Sequence, residues 1–147
     1  MQTPEIALRA AQNEDREFIE RVYFETQRWI TEALFGRRGD DFERAKFAES
    51  YDANNTRVIV VAGADAGWLT VQRSTAIHLE SIYLTPGKQR IGIGTALIRG
   101  LIEEARAAGK TLKLSTAKIN PARNLYERLG FVVVSEDEYK VYMKCRP

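Results

Sequence analysis

The segment from Gln89 to Thr95 has the residue types best suited to bind a charged ligand. Its residues, QRIGIGT, lie between a β-rich run and an amphipathic helix. Glycines let a backbone approach a ligand closely, and amides at a helix N-terminus point their N–H groups outward, which favours phosphate. The segment lacks the Gly-Lys-Ser/Thr ending of a Walker loop, and Leu97 stands where a dinucleotide fingerprint has its third glycine. By spacing alone, a plain helix entry with incidental glycines explains it equally well.

The composition predicts one domain spanning residues 1–147 and excludes several kinds of site. The chain has 147 residues, of which 44% are hydrophobic and 29% are charged, close to globular averages. Its 22 Lys and Arg against 20 Asp and Glu argue against a dedicated nucleic-acid binder, which usually carries a basic excess. Because Cys145 and His78 are the sole cysteine and histidine, we expect neither a disulfide nor a metal site.

The apolar runs are too short for a membrane span. The longest aliphatic run, residues 58–62, is far below the roughly 20 residues that a helix needs to cross a bilayer. Residues 1–5, MQTPE, have neither the basic nor the apolar region of a signal peptide. The sequence therefore predicts a cytoplasmic protein without a membrane partner.

The apolar spacing predicts the order β-α-α-β-β-β-α-β-α-β-β. The expected strands are residues 6–9, 57–62, 67–72, 76–84, 111–116, 131–134 and 139–143. The first expected helix is capped by Asn13 or Asp15 and ends near Gly36, and the second is capped by Asp40 or Asp41 and runs to about Ser50. Two further helices are expected at residues 94–108 and 121–129. Short connections favour an antiparallel meander for the three central strands, and a helical crossover makes the next strand parallel. We expect a single α/β (α+β) domain with a mixed, mostly antiparallel sheet and one central parallel pair.

A second segment, residues 120–131, narrows the interpretation of the first segment. It has the residues NPARNLYERLGF, with an asparagine and a proline where a short helix begins. Together the two segments resemble the GNAT superfamily of acyl-CoA-dependent N-acyltransferases. Gln89, Gly92 and Gly94 match that family's Gln/Arg-x-x-Gly-x-Gly/Ala loop, and the second segment matches its Asn…Tyr-Glu-x-x-Gly-Phe pattern. The resemblance covers about residues 76–134, and both motifs stand in the family's order.

The resemblance implies acetyl-CoA as the acyl donor and assigns residues to it. In the family, the coenzyme A pyrophosphate lies on the loop amides, and the helices cover both faces of a sheet whose parallel pair is splayed. The set carried over to this chain is Gln89, Arg90, Ile91, Gly92, Ile93, Gly94 and Thr95, with the Arg90 side chain as an extra phosphate partner. Pantetheine would lie along the strand that ends near Leu84, against backbone groups of Ile82, Tyr83 and Leu84.

The second motif implies a general acid and an amide ligand. Tyr126 matches the family's tyrosine, which protonates the departing thiolate, and Glu127, Gly130 and Phe131 fix this match. Asn120 matches the asparagine that bonds the pantetheine arm. Many members have seven residues between these positions where this chain has six, so Asn124 is a rival for the amide role.

Acylation of an amine also requires a base and an oxyanion donor. An alkylamine is mostly protonated at pH 7, so a group must accept its proton before attack. Glu80, before the expected bulge of the strand, matches the family's frequent carboxylate, and His78 on the same face is an alternative. An isolated glutamate on a half-exposed strand is equally explained as a solvated residue. The implied oxyanion donor is a backbone N–H near Tyr83 or Leu84.

The function that these matches imply is N-acetyl transfer from acetyl-CoA to an amine by direct attack in a ternary complex. The alternatives are a protein N-terminal or lysine acetyltransferase and a non-catalytic acyl-CoA-binding module. The family resemblance also implies a homodimer. The mixed charges of residues 32–52, where the family forms part of its acceptor site, favour neither a cationic nor an anionic amine.

Overall fold

The structure of the chain is a computed structural model that describes residues 4–147; the first part of the segment tested for a signal peptide lies outside this range. The strands are β1 (Ile6–Ala10), β2 (Thr56–Val61), β3 (Ala64–Arg73), β4 (Ile77–Leu84), β5 (Leu112–Ala117), β6 (Val132–Glu136) and β7 (Lys140–Cys145), and the helices are α1 (Arg16–Phe35), α2 (Asp40–Ser50), α3 (Ile93–Ala107) and α4 (Ala122–Arg128). This order confirms the one predicted from apolar spacing. No helix of residues 4–147 is long and apolar enough to cross a membrane.

The seven strands form one sheet in the order β1-β2-β3-β4-β5-β7-β6. Every neighbouring pair is antiparallel except β4 and β5, which confirms the mixed sheet with a central parallel pair. The predicted four-residue connection at residues 63–66 is wrong, because the turn between β2 and β3 comprises Ala62 and Gly63 alone. Both have positive φ, 50° and 83°, which matches the twist of a two-residue hairpin.

Helices cover the two faces of the sheet unequally. On one face, α3 and α4 pack over the whole centre of the sheet, with Ile98, Leu101 and Tyr126 in a core shared with β2–β5 and β7. On the other face, α1 and α2 pack against β3 and β4 through a smaller cluster of Ile19, Val22, Phe47 and Trp68. On β5–β7, the part of that second face around Lys113 and Tyr142 is exposed, while Phe35 at the end of α1 packs against Tyr139 with 5.0 Å between ring centroids.

The parallel pair separates soon after it begins. The register pairs Ile77 with Leu112 and Leu79 with Leu114, after which β4 runs on to Leu84 and β5 to Ala117 without pairing. Against β3, the register shifts so that Leu79 faces Val71 while Ser81 faces Thr70, which leaves Glu80 as the extra residue of a β-bulge. A bulge bends its strand, and the bend coincides with the start of the gap between β4 and β5.

Gly67 of β3 holds the end of β4 in place from the other side. A Cβ added at this glycine would overlap the Tyr83 carbonyl oxygen and lie 2.9 Å from the Leu84 Cα. Both atoms belong to the backbone, so they cannot rotate away as a side chain could. Close approach at Gly67 therefore sets where the last residues of β4 lie, and with them the width of the gap.

We expect Gly67→Ala to destabilise the protein by about 1–3 kcal/mol, the usual cost of adding atoms to a close-packed site. Gly100→Ala on α3 is the matched control, because a Cβ there meets no atom within 4 Å and alanine is the better helix former. Thermal unfolding of both variants checks this. Equal melting temperatures for the two would contradict the close approach at Gly67.

Candidate active site

The loop before α3 presents a run of free backbone amides. Gly92 caps the helix with a φ of 89°, and Arg90 is one of two non-glycine residues of the described chain with positive φ, at 64°. The first helical bond is from the Ala96 amide to the Gly92 carbonyl, at 3.0 Å. Within residues 4–147, the amides of residues 90–95 donate to no protein acceptor. Successive free N–H groups at a helix N-terminus form a concave site for phosphate.

Neighbouring residues attach this loop to β4. The Gln89 side-chain amide donates to the Leu84 carbonyl at 3.0 Å, and its backbone amide is already used by Pro86, at 3.4 Å. The free amides therefore begin at Arg90 and not at Gln89. Ile93 is buried and anchors the first turn of α3, whereas Ile91 is 47% exposed. The motif glutamine thus fixes the loop to the edge of the gap.

Alternate backbone groups of β4 point into the gap. The Thr85 amide donates to the Ala66 carbonyl at 2.8 Å, so Thr85 directs its polar groups towards β3. Because every second residue of an antiparallel strand does the same, Tyr83 also faces β3, and its carbonyl lies against Gly67. Ile82 and Leu84 then direct their N–H groups away from β3 into the gap. Of the two residues that the sequence left open as oxyanion donor, this geometry favours Leu84.

Tyr126 reaches the same gap from α4. Its ring lies in the core 5.9 Å from that of Phe131, and the residue is 8% exposed. Its hydroxyl makes no hydrogen bond to another described residue and is not among the fully enclosed polar atoms, so it faces accessible space. Burial raises the pKa of this phenol above its ordinary value. Burial also raises the pKa of Tyr83, and the charge of Tyr126 adds to that shift.

The side chains of Asn120, just before α4, and Asn124, within it, differ in which polar groups remain available for a ligand. The Asn120 Oδ1 accepts the Ala122 amide at 3.0 Å, but the N-cap position of α4 is Pro121 and not Asn120 as the sequence predicts. The Asn124 side chain makes no hydrogen bond within the described residues. Asn120 therefore keeps only its NH₂ group for a ligand, whereas Asn124 keeps both its carbonyl and its NH₂ group.

Glu80 and His78 lie on the opposite face of the sheet from the amide loop. Ile77 and Leu79 point into the α3 core, so the residues between and after them, His78 and Glu80, point to the α1 face. Glu80 is exposed and forms no ion pair among residues 4–147. It lies in the bulge itself and not before it, a difference that the alternating sequence could not reveal. The bulge places Glu80 where β4 leaves β5.

The structure adds residues that the sequence reasoning missed. The Tyr83 side chain lies beside the gap, 5.0 Å between ring centroids from Trp68, although the sequence analysis considered only its backbone. Gly67 was also missed, and its position inside a β-rich run was a signal for close backbone approach. Among the described residues, no group of three or more His, Cys, Asp or Glu side chains could hold a metal ion.

Comparison with known families agrees with this geometry. The family described as Acetyltransferase (GNAT) domain matches residues 37–144, which is most of the chain. The chain belongs to the GNAT acetyltransferases. A curated relative, streptothricin acetyltransferase of Streptomyces lavendulae, is 34% identical over 65% of this chain, and the chain spans 60% of that protein's length.

Solved structures share the GNAT fold over nearly the whole chain. The PaiA N-acetyltransferase of Thermoplasma acidophilum, in complex with coenzyme A, superimposes with a TM-score of 0.76 at 18% identity and covers 97% of this chain and 99% of that chain. The ribosomal-protein-S18-alanine N-acetyltransferase of Escherichia coli gives 0.67 at 20% identity, with 97% and 94% covered. At these identities the likeness shows the fold of this chain and neither its activity nor its acceptor.

We expect Gly94→Val to weaken coenzyme A binding without unfolding the protein. A Cβ at Gly94 meets only the Leu84 Cδ1, at 3.9 Å, so the protein itself has room for it. The added atoms would occupy the space from which phosphate approaches the free amides. Calorimetric titration with coenzyme A checks this, with Gly100→Val on the same helix as control. Equal affinity in the two folded variants would show that phosphate binds elsewhere.

Proposed function

We propose that the chain is a cytoplasmic single-domain N-acetyltransferase that transfers acetyl from acetyl-CoA to an amine by direct attack in a ternary complex. The observation that carries this proposal is the gap between β4 and β5. The amide loop and Tyr126 approach the gap from the α3 and α4 face, and Glu80 stands at its start on the α1 face. Donor and acceptor can therefore meet through the sheet.

The residues that would hold acetyl-CoA fit its parts. The amides of residues 90–95 and the exposed Arg90 side chain offer donors for a pyrophosphate. The N–H groups of Ile82 and Leu84 and the free amide of Asn124, with the NH₂ of Asn120, supply hydrogen bonds along the gap for an amide-bearing arm. Bound acetyl-CoA supplies an acetyl thioester, which an amine converts to an amide with release of the thiol.

Glu80 is the group that would take the proton of the amine. A carboxylate beside an alkylammonium accepts its proton directly or through a water and leaves a neutral nucleophile. Glu80 is exposed and free of an arginine or lysine partner in the described chain, so it is available to an incoming cation. His78, two residues earlier on the same face, is the alternative base.

Tyr126 is the group that would donate a proton to the departing sulfur. Its raised pKa keeps the phenol protonated at neutral pH, and its hydroxyl has no protein partner to satisfy within the described residues. A thiol of ordinary pKa near 8.5 is a fair leaving group that still gains from protonation as the C–S bond breaks. The Leu84 N–H would stabilise the charge that develops on the carbonyl oxygen.

Three further points of the proposal concern partners. The acceptor is an amine of a small molecule, with a polypeptide N-terminus or lysine as the alternative acceptor. A non-catalytic acyl-CoA-binding module is the alternative to turnover. The homodimer implied by the family stays a prediction, and the exposed valines at 132–134 of the edge strand β6 offer a surface for it.

We expect Tyr126→Phe to reduce turnover by about 10²- to 10⁴-fold or somewhat less, the range of a positioned general acid. The melting temperature should change little, because the lost hydroxyl has no described partner. Tyr51→Phe, in the smaller cluster on the α1 face, is the control. The assay follows thiol release from acetyl-CoA with a panel of small amines and peptides. Full activity in a destabilised protein would exclude the acid role, and no release with any amine despite coenzyme A binding would favour the non-catalytic module.

We expect Glu80→Gln to lower the rate most near pH 7 and to recover as the pH rises, because a neutral amine needs no base. In the wild type, the raised pKa of Tyr126 keeps its phenol protonated past pH 10, so loss of this acid should limit activity only above that pH. The pH profiles of kcat/KM for both proteins check this. An unchanged profile would remove Glu80 from the mechanism and leave His78 or water as the base.

A further inference from the structure

The open part of the α1 face carries a row of basic side chains on adjacent strands. The register pairs His78 of β4 with Lys113 of β5, and Lys113 with Lys144 of β7. Their strand neighbours Leu79, Leu112 and Met143 point into the α3 core, so all three basic side chains point to the opposite face. We call His78, Lys113 and Lys144 the basic row. No helix covers Lys113, which is exposed.

Glu80, two residues from His78 on β4, is a carboxylate on the same face as this row but forms no ion pair with it. The two lysines form no salt bridge among residues 4–147. The row ends at Gln72 on one side and Val132 on the other, neither of which is charged. Asp137, in the turn between β6 and β7, already accepts the Tyr142 hydroxyl and two backbone amides. Like charges directly opposite each other destabilise a sheet pair, so Lys113 and Lys144 lack a structural benefit.

The basic row lies beside the candidate base on the acceptor side of the gap. Glu80 is two residues from His78 along the same strand and on the same face. Two residues of strand span about 7 Å, and one strand to the next about 5 Å, which places the backbone of Lys113 about 8 Å from that of Glu80. The amide loop for phosphate is on the opposite face, so the row is not part of the coenzyme A site.

We propose that the basic row binds a carboxylate carried by the acceptor, so that the substrate is a small primary amine with an anionic group about 6–10 Å from its nitrogen. This inference rests on the proposed N-acetyltransferase function and deepens it. The amine lies at Glu80, and the carboxylate lies over Lys113 and Lys144. The two ends of the acceptor thus meet opposite charges on one face, which fixes both its orientation and its length.

Binding and turnover of three matched compounds test this. 6-Aminohexanoate has the amine and the carboxylate at the stated spacing, hexylamine lacks the anion, and 1,6-diaminohexane replaces it with a second cation. We expect kcat/KM to be highest for 6-aminohexanoate and lowest for the diamine, with the difference shrinking in added salt because exposed charges are screened.

The double variant Lys113→Gln with Lys144→Gln tests whether the two lysines bind the carboxylate. It should lose roughly 2- to 30-fold of the preference for 6-aminohexanoate over hexylamine, the range of two exposed ion pairs, and keep the rate with hexylamine. Its melting temperature should stay level or rise, because a like-charged pair is removed. Arg106→Gln, exposed on α3 across the sheet, removes one charge elsewhere and should keep the preference. Lys113→Arg with Lys144→Arg should also keep it.

A binding measurement separates this inference from the function on which it rests. N-acetyl-6-aminohexanoate and N-acetylhexylamine are titrated into the coenzyme A complex and followed by NMR. Stronger binding of the carboxylate compound, with shifts at Lys113 and Lys144 that the double variant loses, supports the basic row whatever the turnover. Equal binding of the two compounds, or an unchanged ratio in the double variant, overturns it. Absence of thiol release with any amine overturns the proposed function alone.

Discussion

The short parallel ladder between β4 and β5 is the constraint on which the rest of the structure depends. Pairing ends at Leu79 and Leu114, although both strands continue. Unpaired backbone groups in a sheet interior need other partners, which a ligand or water in the gap can supply. The gap gives Ile82 and Leu84 free N–H groups and lets Tyr126 reach the place where they point. The proposed roles of the amide loop, the phenol and the carboxylate all require the ladder to stop where it does.

Two small features on β3 and β4 set the shape of this opening. The extra residue Glu80 bends β4 away from β5, and the missing side chain of Gly67 lets β3 draw the end of β4 towards itself. The bulge at Glu80 moves β4 away from β5, and the absent side chain at Gly67 leaves space for β4 beside β3. The gap therefore does not depend on side-chain packing alone. The bulge also puts Glu80 and Ser81 on the same face, because the alternation of the strand slips by one residue there.

The sequence predicted the elements and the loop because both depend on local signals. Apolar spacing located the strands and helices, and glycines between a strand and a helix indicated the amide loop. Other features depend on pairing between distant segments. The bulge at Glu80 follows from the register with β3, and the basic row follows from the register that joins Lys113 to both His78 and Lys144. A count of charges over residues 32–52 could not find that row. Its three members lie on separate strands and are 31 or more residues apart in the sequence.

The unequal bonding of the sheet also governs how it opens. Antiparallel ladders with single register shifts hold β1–β4 together on one side and β5–β7 on the other, while three register pairs and α3 join the two parts. Local opening occurs where a structure has the fewest hydrogen bonds and contacts. The boundary between β4 and β5, beyond the pair Leu79 and Leu114, is therefore where the two parts of the sheet separate most easily. A ligand that forms hydrogen bonds to both β4 and α4 would stabilise that boundary. If the acyl donor binds between β4 and α4 as proposed, hydrogen exchange along β4 and β5 should slow, including at β5 amides that the donor does not touch.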